Sequence, residues 1–127
     1  MILLYIAVGG AFGSVCRYLL GIALHRPGEF PTGTLVANVL GSLLVGFVVR
    51  FALETTHVSP EARAFLAVGF CGGFTTFSTF AWEVLSLGEQ GAWARSALYL
   101  GLSVSLSLMA CIAGMAAARE TAMVLQR

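Results

Sequence analysis

Neutral hydrogen-bonding residues repeat at every fourth position in two apolar stretches of the chain. The two sets are Thr34, Asn38 and Ser42 in the first stretch and Tyr99, Ser103 and Ser107 in the second. Residues four apart share one face of a helix, so each set predicts a polar stripe on an apolar helix. Such stripes either hydrogen-bond to neighbouring helices or line a narrow path for a solute.

A segment rich in glycine and threonine lies in a third apolar stretch, between Gly69 and Phe80. Two adjacent glycines are a poor helix interior, and threonine side chains compete for backbone hydrogen bonds. The segment therefore predicts a break in the helix. Freed carbonyl groups at such a break would bind a cation and freed N–H groups an anion, and the sequence does not choose between them.

Three phenylalanines follow each other at i+3 in this segment, namely Phe74, Phe77 and Phe80. The spacing is typical of a packing ridge. It also allows a second interpretation, because the edge of a phenyl ring carries partial positive charge and can face a small anion.

Two charged residues lie well inside the apolar stretches. Arg17 either extends towards the membrane interface or sets a positive potential that attracts anions to a vestibule. Glu83 lies four residues after Thr79, on the same predicted face, where it either ends a polar path or caps the packing near the interface.

The elements that carry these residues are predicted to be membrane-spanning helices. Of the 127 residues, 58% are hydrophobic and 10% are charged, whereas soluble domains have about 25% charged residues. A bilayer-spanning helix needs about 20 mostly apolar residues. The predicted spans cover residues of about 2–24, 34–53, 64–87 and 96–118.

The segments between the spans are short and contain turn-forming residues, which predicts one all-α domain, an up-and-down bundle with both termini on one side. The arginine bias between the two sides is weak. The side that holds the termini and the second loop carries four arginines, Arg50, Arg63, Arg119 and Arg127. The other side carries two, Arg26 and Arg95. Basic loops favour the cytoplasm, so a weak bias is what a chain that inserts in both orientations would show.

Several function classes find no support in the sequence. The net charge is +1 and no basic patch stands out, which argues against nucleic acid as a partner. The three cysteines, Cys16, Cys71 and Cys111, form no CxxC pair, which argues against a disulfide framework or a zinc site. We also see no catalytic set in the spans, so an enzyme is not expected.

Three motifs resemble the Fluc/CrcB family of dimeric fluoride channels. They are the Gly-rich Arg-Tyr segment from Gly9 to Tyr18, the GTxxxNxxG element from Gly33 to Gly41, and the GxCGGxTTFSTF signature from Gly69 to Phe80. The polar face of the last span matches as well, and the similarity covers the four spans in order. The departures, Ser14 and Phe74, stand at tolerant-looking positions.

The resemblance implies a fluoride-selective channel that exports cytoplasmic fluoride passively through the inner membrane. It further implies an antiparallel, dual-topology homodimer with two pathways. The residues that it assigns to the fluoride pathway are Arg17, Thr34, Asn38, Phe77, Thr79, Phe80, Glu83, Tyr99, Ser103 and Ser107. It also implies a structural sodium ion at the dimer centre, held by the backbone carbonyls of Gly72 and Thr75 from both subunits.

Two other functions compete with this expectation. A small multidrug-resistance-type exporter shares the length and the span number, but it needs a carboxylate in the first span, and no acidic residue precedes Glu29. A non-transporting accessory subunit would use the polar stripes only to hold its helices together.

Overall fold

The structure is a computed structural model that describes residues 1–24 and 30–127. Long helices α1 (Ile2–Leu24) and α2 (Thr32–Glu54) come first. Helix α3 (residues 60–74) consists of Pro60–Arg63, the π-helical Ala64–Cys71 and Gly72–Phe74. Helices α4 (Phe77–Glu89) and α5 (Trp93–Leu125) follow.

Four segments of the described chain are long and apolar enough to cross a bilayer, namely Ile2–Leu24, Thr32–Glu54, Pro60–Glu89 and Trp93–Leu125. Their outer surfaces carry exposed leucine, isoleucine and valine side chains, which suits contact with lipid. The chain is therefore a multi-pass membrane protein. The predicted loop residues His25 to Glu29 lie outside the described residues.

The helices are longer than the sequence predicts at several ends. Helix α5 begins at Trp93 and continues to Leu125, past the expected end near residue 118. Its continuation packs against the end of α2, with Ala118 and Ala122 buried. The Gln126 side chain donates a hydrogen bond to the Glu54 carbonyl at 3.0 Å, which holds the two helix ends together.

Glycines let the helices pack backbone against backbone. A methyl group at Gly13 of α1 would overlap the Phe70 carbonyl oxygen of α3. One at Gly114 of α5 would overlap the Leu43 carbonyl oxygen of α2. Helices in lipid associate through van der Waals packing and not through the hydrophobic effect, and small residues at the crossings allow that close packing. The bundle is thus built from two closely packed helix pairs, α1 with α3 and α2 with α5.

Candidate functional site

The third span is interrupted at Thr75 and Thr76. Both residues are extended, with φ −86° and ψ 157° at Thr75 and φ −152° and ψ 122° at Thr76. The backbone N–H and the side-chain hydroxyl of Thr75 both donate to the Cys71 carbonyl, at 2.9 Å each. These bonds close the last turn of α3 and so end that helix.

The glycines do not make the break that their low helix propensity predicts. Gly72 is helical, with φ −62° and ψ −37°, and Gly73 belongs to the same helical segment. Gly73 serves close packing instead, because a methyl group there would overlap the Gly10 carbonyl oxygen of α1. The threonines that follow supply the extended backbone.

Asn38 of α2 binds the backbone of the break. Its Nδ2 donates to the Thr76 carbonyl at 3.1 Å, and its Oδ1 accepts from the Thr76 N–H at 2.8 Å. The side chain thereby pairs with Thr76 as a neighbouring strand would, and it satisfies backbone groups that lipid cannot. One amide hydrogen of Asn38 is left for another partner.

Thr76 also caps the helix that follows the break. Its Oγ1 accepts from the Thr79 N–H at 3.2 Å and donates to Thr79 Oγ1 at 3.1 Å. An extended threonine whose hydroxyl accepts from the third residue onward is a favourable N-cap. Helix α4 can therefore restart at Phe77, immediately beyond the break.

A cavity of about 400 Å³ lies beside the break and is lined by two of the three stripe residues of each of α2 and α5. Its polar side chains include those of Asn38, Ser42, Ser103 and Ser107. Ser103 is only 5% exposed, and its Oγ has no hydrogen-bond partner among the described residues. A buried hydroxyl without a hydrogen-bond partner costs free energy. A solute that accepts a hydrogen bond in this cavity would offset that cost.

Two phenyl rings of α4 border the same cavity. The rings of Phe77 and Phe80 lie 5.7 Å apart between centroids and are inclined at 54°. Phe80 is 8% exposed, whereas Phe77 is 79% exposed on the outer surface of the described chain. Phe74, the first member of the predicted ridge, stacks on Phe70 instead, with a centroid distance of 5.5 Å, and has a packing role.

A second, larger cavity of about 950 Å³ lies on the other side of Thr76 and contains Arg17, Thr34, Thr79 and Glu83. Within it, the Glu83 carboxylate accepts hydrogen bonds from the Thr34 hydroxyl at 2.8 Å and the Tyr99 hydroxyl at 2.6 Å. The two hydroxyls at the head of the predicted stripes are therefore held by an acidic side chain. Thr76 lines both cavities.

Arg17 lies against the break rather than standing free in the cavity. Its Nε donates to the Gly73 carbonyl at 3.1 Å. Ser14, one turn earlier on α1, places its Oγ 3.5 Å from the same oxygen.

The structure thus gathers the predicted residues around the break in two groups. Those on the smaller cavity are Asn38, Phe77, Phe80, Ser103 and Ser107, and those on the larger cavity are Arg17, Thr34, Thr79 and Glu83. Fully buried Tyr99 joins the two groups, because its hydroxyl binds Glu83 and its ring lies 5.4 Å from that of Phe80.

The backbone role of Thr76 is absent from the sequence-based assignment. Its only signal in the sequence is its place after Thr75 in the break, which does not reveal the partner on α2. Ser42 was recognised as part of a stripe but was not assigned to the site, and it lines the smaller cavity.

The carbonyl groups at the break divide into two sets. Those of Gly73 and Thr76 are hydrogen-bonded to Arg17 and Asn38. Within the described chain, the carbonyls of Gly72 and Thr75 accept no backbone hydrogen bond from outside a helix. Neutral carbonyl oxygens are suitable ligands for a hard cation, so these two groups fit the expected sodium donors.

Fold and site together define a multi-pass membrane protein with polar cavities beside a broken helix. A family model described as CrcB-like protein, Camphor Resistance (CrcB) matches residues 4–115. The chain belongs to this family.

Curated relatives extend over nearly the whole chain. A protein of Ruegeria sp. (strain TM1040) is 48% identical over 121 residues, covering 91% of this chain and 93% of its own length. One of Rhizobium meliloti (strain 1021) is 45% identical, with coverages of 92% and 95%. One of Methanopyrus kandleri is 46% identical, with coverages of 89% and 86%. Each of these relatives is named "Fluoride-specific ion channel FluC".

Proposed function

We propose that this protein is a fluoride-selective channel that lets cytoplasmic fluoride leave the cell passively and so relieves its toxicity. The observation that carries the proposal is the shared name of relatives that are 45–48% identical along about nine-tenths of the chain. That name also places the protein among ion channels rather than enzymes. We assign it to the inner membrane as a multi-pass protein.

The smaller cavity has the chemistry that this function needs. Fluoride leaves its hydration water only if several hydrogen-bond donors replace it, and serine and asparagine side chains supply neutral donors. A full positive charge in the cavity would bind the ion too tightly for passage, because conduction requires release as well as entry. The unpartnered Ser103 hydroxyl and the edges of the Phe77 and Phe80 rings meet both conditions.

Glu83 controls the next pair of donors along this pathway. The Thr34 and Tyr99 hydroxyls bind its carboxylate, so they can serve a passing anion only when the carboxylate releases them. Thr79 stands in the same cavity and provides another hydroxyl nearby. The polar track therefore continues from Ser103 through Tyr99 to Glu83.

A second copy of the chain would complete the site. Gly72, Phe77 and Ser78 are exposed although they lie at the break of a membrane-spanning segment. Irregular backbone at membrane depth persists only where protein or a water-filled cavity covers it. A homodimer supplies this cover, and an antiparallel, dual-topology arrangement agrees with the weak arginine bias. Such a dimer has two equivalent pathways.

The dimer centre would also hold the structural sodium ion. Gly72 and Thr75 of one copy would contribute their carbonyls, which accept no backbone hydrogen bond from outside a helix in the described chain. An antiparallel partner would contribute the same pair from the opposite direction. When bound, the ion would supply positive charge beside these carbonyls, which would hold the two breaks against each other.

The passive character of transport can be tested with purified protein in liposomes. With equal fluoride concentrations on both sides and no proton gradient, we expect the direction of net fluoride flux, followed with a fluoride electrode, to reverse when the imposed membrane voltage is reversed. Efflux of a cationic drug that is driven by protons and lost in Glu83→Gln would instead identify an exporter. Protein that transports neither solute would be an accessory subunit.

A further inference from the structure

The hydrogen bond from Arg17 to Gly73 meets a specific need of the broken helix. Gly73 lies in the last turn of α3, where carbonyl groups lose their usual partner four residues ahead. That partner would be the N–H of Phe77, which lies beyond the extended Thr75 and Thr76. The guanidinium Nε, 3.1 Å away, takes its place as the nearer donor, and the Ser14 hydroxyl is a second, more distant donor at 3.5 Å. A cation at the carboxyl end of a helix also interacts favourably with the helix dipole.

The packing of α1 delivers Arg17 to this carbonyl in a fixed register. Gly13 rests against the Phe70 carbonyl, and Arg17, one turn later on the same face, reaches the Gly73 carbonyl three residues further along α3. Backbone contact at Gly13 leaves little room for α1 and α3 to slide past each other. The position of the Arg17 side chain relative to the Gly73 carbonyl is therefore fixed.

Opposite sides of the break are held by different helices. Arg17 of α1 binds the Gly73 carbonyl before the break, and Asn38 of α2 binds both backbone groups of Thr76 after it. The Gly72 carbonyl comes directly before that of Gly73, and the Thr75 carbonyl directly before that of Thr76. Their directions therefore depend on how Arg17 and Asn38 hold the backbone.

We infer that Arg17 is a positioning residue, whose Nε–H fixes the geometry of the break, and that its charge is not what draws the anion. The inference rests on the proposed function and deepens it, because the break adjoins the phenyl rings of the proposed pathway and carries the carbonyls of the proposed sodium site. It differs from both sequence-based alternatives for Arg17, which were extension towards the membrane interface and a positive potential at a vestibule.

Two substitutions separate the hydrogen bond from the charge. In Arg17→Gln the amide nitrogen stands as many bonds from the backbone as Nε does, so the donor is kept and the charge is lost. In Arg17→Met a chain of similar length has neither. We expect Arg17→Gln to keep fluoride efflux within about threefold of the wild type, because the donor to the Gly73 carbonyl is kept. Arg17→Met should lower efflux at least about tenfold, because it removes that donor.

Hydrogen–deuterium exchange provides a readout that does not depend on transport. In Arg17→Met the amides of residues 75–78 should exchange about tenfold faster, while Arg17→Gln leaves them near the wild-type rate. This comparison decides the inference even if the wild type passes no fluoride, which would defeat the proposed function alone.

Equal loss of efflux in both variants, with unchanged exchange, would overturn the inference in favour of the charge. Wild-type behaviour of both variants would overturn it as well. If Arg17→Met does not fold, Arg17→Gln still decides, because a charge-based role requires a large loss of efflux in that variant.

Discussion

Ser103 offers the sharpest test among single residues. Its buried hydroxyl has no partner in the described chain, so Ser103→Ala removes no protein hydrogen bond. We expect the variant to fold with unchanged or slightly raised stability, because loss of an unpaired buried polar group costs nothing. Fluoride efflux should nevertheless fall about tenfold, the value of one hydrogen bond to an ion.

The matched control for this variant is Ser105→Ala. Ser105 is exposed on the same helix and donates back to the Gly101 carbonyl of its own turn. Its replacement should leave efflux unchanged. Equal efflux from Ser103→Ala and the wild type would show that this hydroxyl does not face the ion.

The aromatic interpretation is tested at Phe80. Replacing the ring with an aliphatic side chain in Phe80→Ile keeps the apolar volume nearly constant but removes the positive ring edge. We expect lower fluoride efflux with the dimer intact, measured by electrode and by size-exclusion chromatography. Phe12→Ile, at an exposed position on α1, serves as the control. Efflux that is unchanged in Phe80→Ile would remove this ring from the pathway.

The sequence predicts which residues line the cavities far better than it predicts their hydrogen-bond partners. Spacing of four placed Asn38 and Ser103 on polar stripes, and both line the smaller cavity. Pairing of Asn38 with Thr76, and of Glu83 with Thr34, joins positions far apart in the chain. Periodicity describes one helix at a time, so it cannot reveal such contacts.

Among the elements, the break shows where propensity misleads. The two glycines are intrinsically the weakest helix formers of the segment, yet Gly73 stays helical because α1 packs directly on it. The chain leaves the helix where threonine side chains can satisfy the backbone. The break therefore lies within the predicted segment, at its threonines and not at its glycines.

The far end of α5 differs for another reason. Apolar character declines after Ala118, where Arg119 and Glu120 follow, so hydropathy ends the predicted span there. The helix continues to Leu125 because its backbone bonds do not require lipid and Ala122 packs against α2. Span prediction locates the membrane-crossing part, whereas packing determines the length of the helix.

Close packing between α2 and α5 predicts a strong effect of a single methyl group. Gly114→Ala would place that group against the Leu43 carbonyl oxygen, which belongs to rigid backbone. We expect a loss of about 1–3 kcal/mol in stability, the usual cost of overpacking, seen as a lower thermal midpoint in detergent. The control is Gly101→Ala on the same helix, where a methyl group meets no atom of the described chain within 4 Å. Equal midpoints for the two variants would contradict this packing.

For the whole molecule, the exposed break predicts dependence on a partner and on sodium. Replacement of sodium by a larger alkali cation during purification should weaken or distort the dimer. The Gly72 carbonyl belongs to a helix and the Thr75 carbonyl to a break whose next residue is bound by Asn38, so neither can move far to fit a larger ion. The dimer fraction can be measured by cross-linking at low protein concentration. A fraction that is indifferent to the cation would count against the proposed central site.

The central claim is that neutral donors and ring edges in a cavity beside the break replace the water of a fluoride ion. The most direct measurement compares fluoride and chloride efflux from the same liposomes that contain purified protein. Fluoride should leave much faster than from empty liposomes, while chloride stays at the background rate. Fluoride efflux no faster than that of empty liposomes, or equal rates for both halides, would contradict the claim.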